Sequence, residues 1–182
     1  MSRQVLTVPG HGNSGATHWQ SVWEVAKPGH WCRMKIEDWD HAICDEWVAA
    51  IDREVAAIGP NTIIVAHSLG CLAVAHWAAR HAVTIRGALL VAVPDPSAPA
   101  FPSASSVGFS PVPSARLPFR SIVVASNDDP YAAISYAQSC ASTWGSEFLD
   151  VGARGHLNAA SQLDDWAEGY QLLQHFDAST PG

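Results

Sequence analysis

No apolar run in this sequence approaches the ~20 residues that a membrane-spanning helix needs, so no membrane association is expected. Positive charge is also scarce: ten Lys and Arg stand against seventeen Asp and Glu, a formal net charge of −7. Gripping a phosphate backbone calls for a basic face, which excludes nucleic acid as a partner. Acidity of this size mainly favours solubility and names no partner. Cysteine is limited to Cys32, Cys44, Cys71 and Cys140. No C-x-x-C pair or metal-ligand spacing occurs among them, so neither a metal site nor a disulfide framework is expected. They read as buried, reduced thiols. The first residues, Met-Ser-Arg-Gln, run straight into Val5-Leu6-Thr7-Val8 without the apolar stretch of a signal peptide. A cytoplasmic protein is the expectation.

What is present is globular. The chain has 182 residues, 48% of them hydrophobic and 15% charged, which suits one domain spanning 1–182. Short β-branched runs alternate with segments of helical period, the pattern of βαβ units around a parallel sheet. Strands are expected over Gln4–Val8, Arg33–Ile36, Thr62–Ala66, Ala88–Val93, Ser121–Ala125 and Glu147–Val151. Helices are expected over about 17–26, 42–58, 69–81, 131–144 and 163–176. In the second helix Trp47, Ile51, Val55 and Ile58 recur at helical spacing and should face the sheet, and Gly59-Pro60 should end it. Seven of the twelve prolines fall between Pro94 and Pro118, a Pro/Ser-rich stretch that reads as a long surface loop. Ala178–Gly182 should be a frayed tail. The fold class is therefore α/β: a mainly parallel sheet of about six strands, with helices on both faces.

The strongest local signal is Ile63-Ile64-Val65-Ala66-His67-Ser68-Leu69-Gly70 followed by an Ala-rich helix. A serine on a sharp strand-to-helix turn is the nucleophile elbow, written G-x-S-x-G, in which Ala66 here replaces the first glycine. The bland alternative makes Ser68 an ordinary helix cap. A serine needs a base oriented by a third group, in the chain order Ser, acid, His for this fold. Of the histidines beyond Ser68, His76 and His81 lie in the helix after the elbow and His175 near the end of the last helix. His156, in Gly152-Ala153-Arg154-Gly155-His156, follows the last strand at the edge where α/β sheets bind ligands. Asp129, Asp128 and Asp95 all follow strands and compete for the third position.

The first strand ends in Val8-Pro9-Gly10-His11-Gly12-Asn13-Ser14-Gly15. An oxyanion hole built from the N–H groups of Leu69 and His11, with Gly12 in reserve, is expected there. The same stretch is also a G-x-G-x-x-G, with Glu37 and Asp38 about 20 residues on, so a dinucleotide-binding protein is a competing reading. Against it, His18 and Trp19 are too large for the close helix–strand packing that the third glycine serves. Trp19 and Trp23, one turn apart, read as core.

Four separated motifs then line up with one family. The chain resembles the small serine hydrolases related to retinoblastoma-binding protein nine and their bacterial counterparts. The resemblance rests on Val8-Pro9-Gly10-His11-Gly12-Asn13 with His18-Trp19, on Ala66-His67-Ser68-Leu69-Gly70, on Asn127-Asp128-Asp129-Pro130-Tyr131 and on Gly155-His156-Leu157-Asn158-Ala159. It implies an α/β-hydrolase fold and a reaction on small carboxylic esters or amides. It assigns the nucleophile to Ser68, the base to His156 and the acid to Asp129 rather than Asp128, with no metal or cofactor. A protein-interaction module that keeps the fold with little turnover is the rival from another class.

Overall fold

The computed structural model describes residues 4–27 and 29–179. Strand β1 (Gln4–Val8) leads through the glycine-bearing loop to helix α1 (Trp19–Ala26), and β2 (Trp31–Arg33) follows. A two-residue strand, β3 (Ala42–Ile43), precedes α2 (Cys44–Ile58). Next come β4 (Thr62–His67), α3 (Leu69–Arg80) and β5 (Gly87–Val91). The chain continues through β6 (Ser106–Val107), β7 (Ser121–Ala125), α4 (Ile134–Trp144), β8 (Glu147–Asp150) and α5 (Ala167–Ser179).

Six strands form one sheet in the order β2-β1-β4-β5-β7-β8, and every neighbouring pair is parallel. Strand periodicity sorts the core into two layers. Ile64 and Ala66 face a cluster that includes Trp47, Ile51 and Val55 of α2, Leu72 of α3 and Trp144 of α4. Ile63 and Val65 face the opposite cluster, with Trp19 and Trp23 of α1 and Leu173 and Phe176 of α5. A one-residue slip would exchange these sets, so burial on both faces fixes the register. The result is the expected single α/β domain with helices on both faces.

Several boundaries move for identifiable reasons. The second strand occupies Trp31–Arg33 rather than Arg33–Ile36, because its pairing with β1 matches Val5 to Trp31 and Thr7 to Arg33. Strand β5 ends at Val91, before Ala92 turns at φ 56. The last strand stops at Asp150. Helix α5 begins at Ala167, after Asp164 and Trp166 take positive φ. The proline-rich stretch is more than a surface loop: its β6 pairs with β3 through Ala42–Ser106 and Ile43–Val107, and Phe101 and Phe109 are buried. Of the expected frayed tail, Ala178 and Ser179 end α5, and the remaining residues lie outside the described ones.

In the sheet order β1 lies between β2 and β4, so the chain leaves β1 to one side and returns on the other. That reversal opens a crevice at the carboxyl ends of β1 and β4, where open α/β sheets bind ligands.

Candidate active site

Strand β4 ends at His67 and α3 begins at Leu69, so Ser68 alone makes the turn. It adopts φ 53, ψ −126, a conformation that costs a non-glycine residue on the order of 1–3 kcal/mol. Its neighbours are small because no room exists for more. A Cβ on Gly70 would stand 2.5 Å from both Val8 O and Pro9 O, and one on Gly10 would stand 2.9 Å from Ser68 Cβ. Ala66, whose side chain packs into the core on β4, is accommodated where the elbow pattern has glycine. The Ser68 side chain makes no capping bond to α3, which removes the reading of Ser68 as an ordinary helix cap.

Its hydroxyl is directed elsewhere. Ser68 Oγ–H donates to His156 Nε2 at 2.7 Å. His156 Nδ1–H in turn donates to Asp129, at 2.8 Å from Oδ2 and 2.9 Å from Oδ1. The His156 and Asp129 side chains are 7% and 4% exposed, so little water competes for these bonds. Asp129 Oδ1 also accepts from the Tyr131 N–H at 2.8 Å, which fixes the carboxylate plane.

The two competing acids have other partners. Asp128 Oδ1 accepts from the Ser126 hydroxyl at 2.6 Å and the Gly155 N–H at 2.7 Å. Those two bonds, the hydroxyl first, hold its carboxyl below the usual range. Asp95 Oδ1 caps its own loop through the Ser97 N–H and hydroxyl.

The loop carrying His156 is tied down by side chains distant from it in the sequence. His67 Nε2–H donates to His156 O at 2.9 Å, and Trp19 Nε1–H donates to Leu157 O at 2.7 Å. The Tyr131 ring lies against the His156 ring with centroids 4.2 Å apart. Neither anchoring role was readable beforehand. The only signals were the histidine inside the elbow and the His18-Trp19 pair. The other three histidines that follow Ser68 in the sequence have partners elsewhere: His76 bonds Phe109 O, His81 pairs with Asp52 and His175 bonds Gln171 O.

In the loop after β1, Gly12 N–H donates to Trp39 O at 2.9 Å and Asn13 N–H to Gly10 O at 3.2 Å. Gly12, the reserve oxyanion candidate, is thereby engaged, whereas no bond takes the His11 N–H among the described residues. The Leu69 N–H is the first of α3 and has no intrahelical acceptor. The His11 ring braces the loop, its Nε2 lying 2.9 Å from both Asp40 O and Ser105 Oγ.

A dinucleotide reading fails on geometry. No helix opens at the glycines, since α1 begins only at Trp19. The third glycine, Gly15, has nothing within 4 Å of where a Cβ would stand, so it serves no close helix–strand contact. Gly10 instead makes room for Ser68.

A cavity of about 310 Å³ opens on these groups. Ser68, Leu69, His11 and His156 line it together with His18, His67, Tyr131 and the small apolar residues Ala100, Ala159 and Ala160. Its lining contains no Lys, Arg, Asp or Glu among the described residues. No helix of the described residues is long and apolar enough to cross a membrane.

Comparison with solved structures finds the same fold in hydrolases. A YdeN-like hydrolase from Pectobacterium atrosepticum is 33% identical, with a TM-score of 0.85 over 99% of this chain and 94% of that one. The ydeN gene product of B. subtilis is 19% identical, with a TM-score of 0.80 over 97% and 100% of the two chains. Carboxylesterase CesB from Bacillus subtilis shares the fold at 11% identity and a TM-score of 0.70, over 96% of this chain and 83% of that one. No functionally curated protein matches the chain. The serine hydrolase family model matches residues 5–175, nearly the whole length. The chain belongs to the serine hydrolase family.

Proposed function

We propose that this hydrolase cleaves small, uncharged carboxylic esters through an acyl-enzyme on Ser68, with His156 as base and Asp129 as its orienting acid. The observation that carries the reading is the unbroken hydrogen-bonded line from Ser68 Oγ through His156 to Asp129. Ser68 Oγ attacks the ester carbonyl carbon while His156 Nε2 takes its proton, and the carbonyl π pair moves onto oxygen. Collapse re-forms the carbonyl and breaks the bond to the alcohol oxygen, which receives the proton from His156. Water then repeats both steps on the acyl-enzyme, releasing the acid and restoring Ser68. Asp129 holds His156 in the tautomer that leaves Nε2 free to accept and stabilises the imidazolium when it forms.

The N–H groups of Leu69 and His11 are the proposed oxyanion donors. One such donor is commonly worth about 3–4 kcal/mol in the transition state. The cavity of about 310 Å³ is at the small end for ligand sites, and its uncharged lining supports a neutral substrate. No metal or cofactor enters this mechanism. The four cysteines are free thiols, which agrees with a reducing, cytoplasmic setting.

The test is hydrolysis of p-nitrophenyl acetate and butyrate by the wild type and Ser68→Ala. Turnover should require Ser68. Undiminished hydrolysis by the variant would refute the assignment.

A further inference from the structure

Two imidazoles in the cavity, His18 and His67, take no part in the proton transfers above. His18 caps α1, and its Nδ1 accepts from the Gln20 N–H at 3.2 Å, which leaves the ring proton on Nε2. That Nε2 is buried and has no protein acceptor among the described residues, on a side chain belonging to a residue 4% exposed. Folded proteins seldom leave a buried donor unpaired, because its lost hydration is not replaced. The two nitrogens point to opposite sides of the ring, so Nε2 is turned away from the helix that Nδ1 faces. Burial first, then the Arg33 charge and His156, lower the His18 pKa to about 4, so the ring stays a neutral donor at ordinary pH.

His67 offers the complementary group. Its Nε2–H is committed to His156 O at 2.9 Å, so Nδ1 carries the bare lone pair. No protein donor takes that lone pair among the described residues, and Nδ1 lies 3.5 Å from where a Cβ on Gly10 would stand, in the cavity wall. Burial dominates here too and holds His67 neutral. The two rings meet edge to face with centroids 4.7 Å apart.

A hydroxyl both accepts and donates. One hydroxyl oxygen can therefore accept from the donor on one ring and give its own proton to the bare nitrogen of the neighbouring ring. A carbonyl or ether oxygen would answer only His18. A charged group would find no counter-ion in the lining. We propose that His18 Nε2–H and His67 Nδ1 form a neutral donor–acceptor pair that binds a hydroxyl of the substrate, making this an enzyme for hydroxyl-bearing esters. The proposal rests on the ester-hydrolase reading and narrows its substrate class.

The hydroxyl can belong to the acyl or the alcohol part, and the experiment separates the two. Ethyl 3-hydroxybutyrate is compared with ethyl butyrate, and 2-hydroxyethyl butyrate with propyl butyrate, by kcat/KM in a pH-stat. One hydroxylated ester should be favoured about tenfold or more, since a site built to bond a hydroxyl rejects the analogue lacking it. In His18→Asn, which keeps a capping oxygen but shortens the reach, that ratio should fall to within twofold. Binding to Ser68→Ala protein carrying ¹⁵N-histidine gives a readout without turnover or a cap mutation. The favoured ester should shift His18 Nε2 and His67 Nδ1, and its deoxy partner should not. Equal kcat/KM within each pair, or unmoved nitrogens with both hydroxylated esters, would overturn the pair while leaving the acyl-enzyme reading intact. Shifted nitrogens with no turnover of any ester would uphold the pair and sink the acyl-enzyme reading.

Discussion

Replacing Asp129 by Asn separates the orientation of His156 from its mere presence. The carboxylate accepts on both oxygens from His156 Nδ1–H and on Oδ1 from the Tyr131 N–H. An Asn at this position keeps one acceptor oxygen, which the Tyr131 N–H holds, and so turns its amide NH₂ toward His156. Two donors cannot face each other. His156 must then lose its Nδ1 proton and carry it on Nε2, where it can no longer accept from Ser68 Oγ 2.7 Å away. The fold should survive, because the shape is unchanged, while the reactive tautomer is lost. The corresponding change in a serine protease lowers kcat about 10⁴-fold, or about 5.5 kcal/mol at 1.36 kcal/mol per decade. Asp128→Asn is the control, since an amide oxygen can still accept from the Ser126 hydroxyl and the Gly155 N–H; its loss should stay below about tenfold. The assay is kcat for p-nitrophenyl acetate on folded protein, with folding checked by urea unfolding. More than a tenth of wild-type kcat in Asp129→Asn, or a deeper loss in Asp128→Asn, would refute the argument.

Gly70→Ala should destabilise the fold by about 1–3 kcal/mol, the usual range for overpacking, because its methyl would meet two backbone carbonyls at 2.5 Å; a wild-type urea midpoint would contradict this. His18 has a folded pKa of about 4 against 6.5 unfolded, so below pH 6.5 the unfolded chain binds the extra proton and stability falls with pH. On going from pH 7 to 4.5 this residue should account for about 2–3 kcal/mol of lost stability, and His18→Phe should flatten that part of the urea-midpoint profile. Among p-nitrophenyl esters below their micelle concentrations, kcat/KM should peak at short acyl chains, because a cavity of about 310 Å³ walled by Ala100, Ala159 and Ala160 leaves a long chain in water. A rise continuing to palmitate would reveal an apolar channel elsewhere.

The sheet was legible because Ile63-Ile64-Val65-Ala66 and Leu89-Leu90-Val91 are apolar without interruption, as burial on both faces demands. Short strands were less legible. Trp31–Arg33 is set by its register with β1, and the two-residue β3–β6 pair rests on contacts across more than sixty positions of chain, which no local pattern encodes. In the candidate site, Ser68 and His156 stood out because elbow geometry and chain order restrict them to few positions. Asp129 did not, since all three aspartates follow strands and only three-dimensional pairing tells them apart. The bonds from His67 and Trp19 to the His156 loop join residues 89 and 138 positions apart. An imidazole and an indole of that kind look identical to core residues in a sequence.

The central claim, that Ser68 is an activated nucleophile, is tested most directly by a fluorophosphonate probe, which needs no knowledge of the natural substrate. The phosphonyl group should be found by peptide mass spectrometry on Ser68 alone. Labelling should vanish in Ser68→Ala and slow strongly in Asp129→Asn. An unlabelled wild type, or a label on Ser14 or Ser126 with Ser68 untouched, would contradict the account.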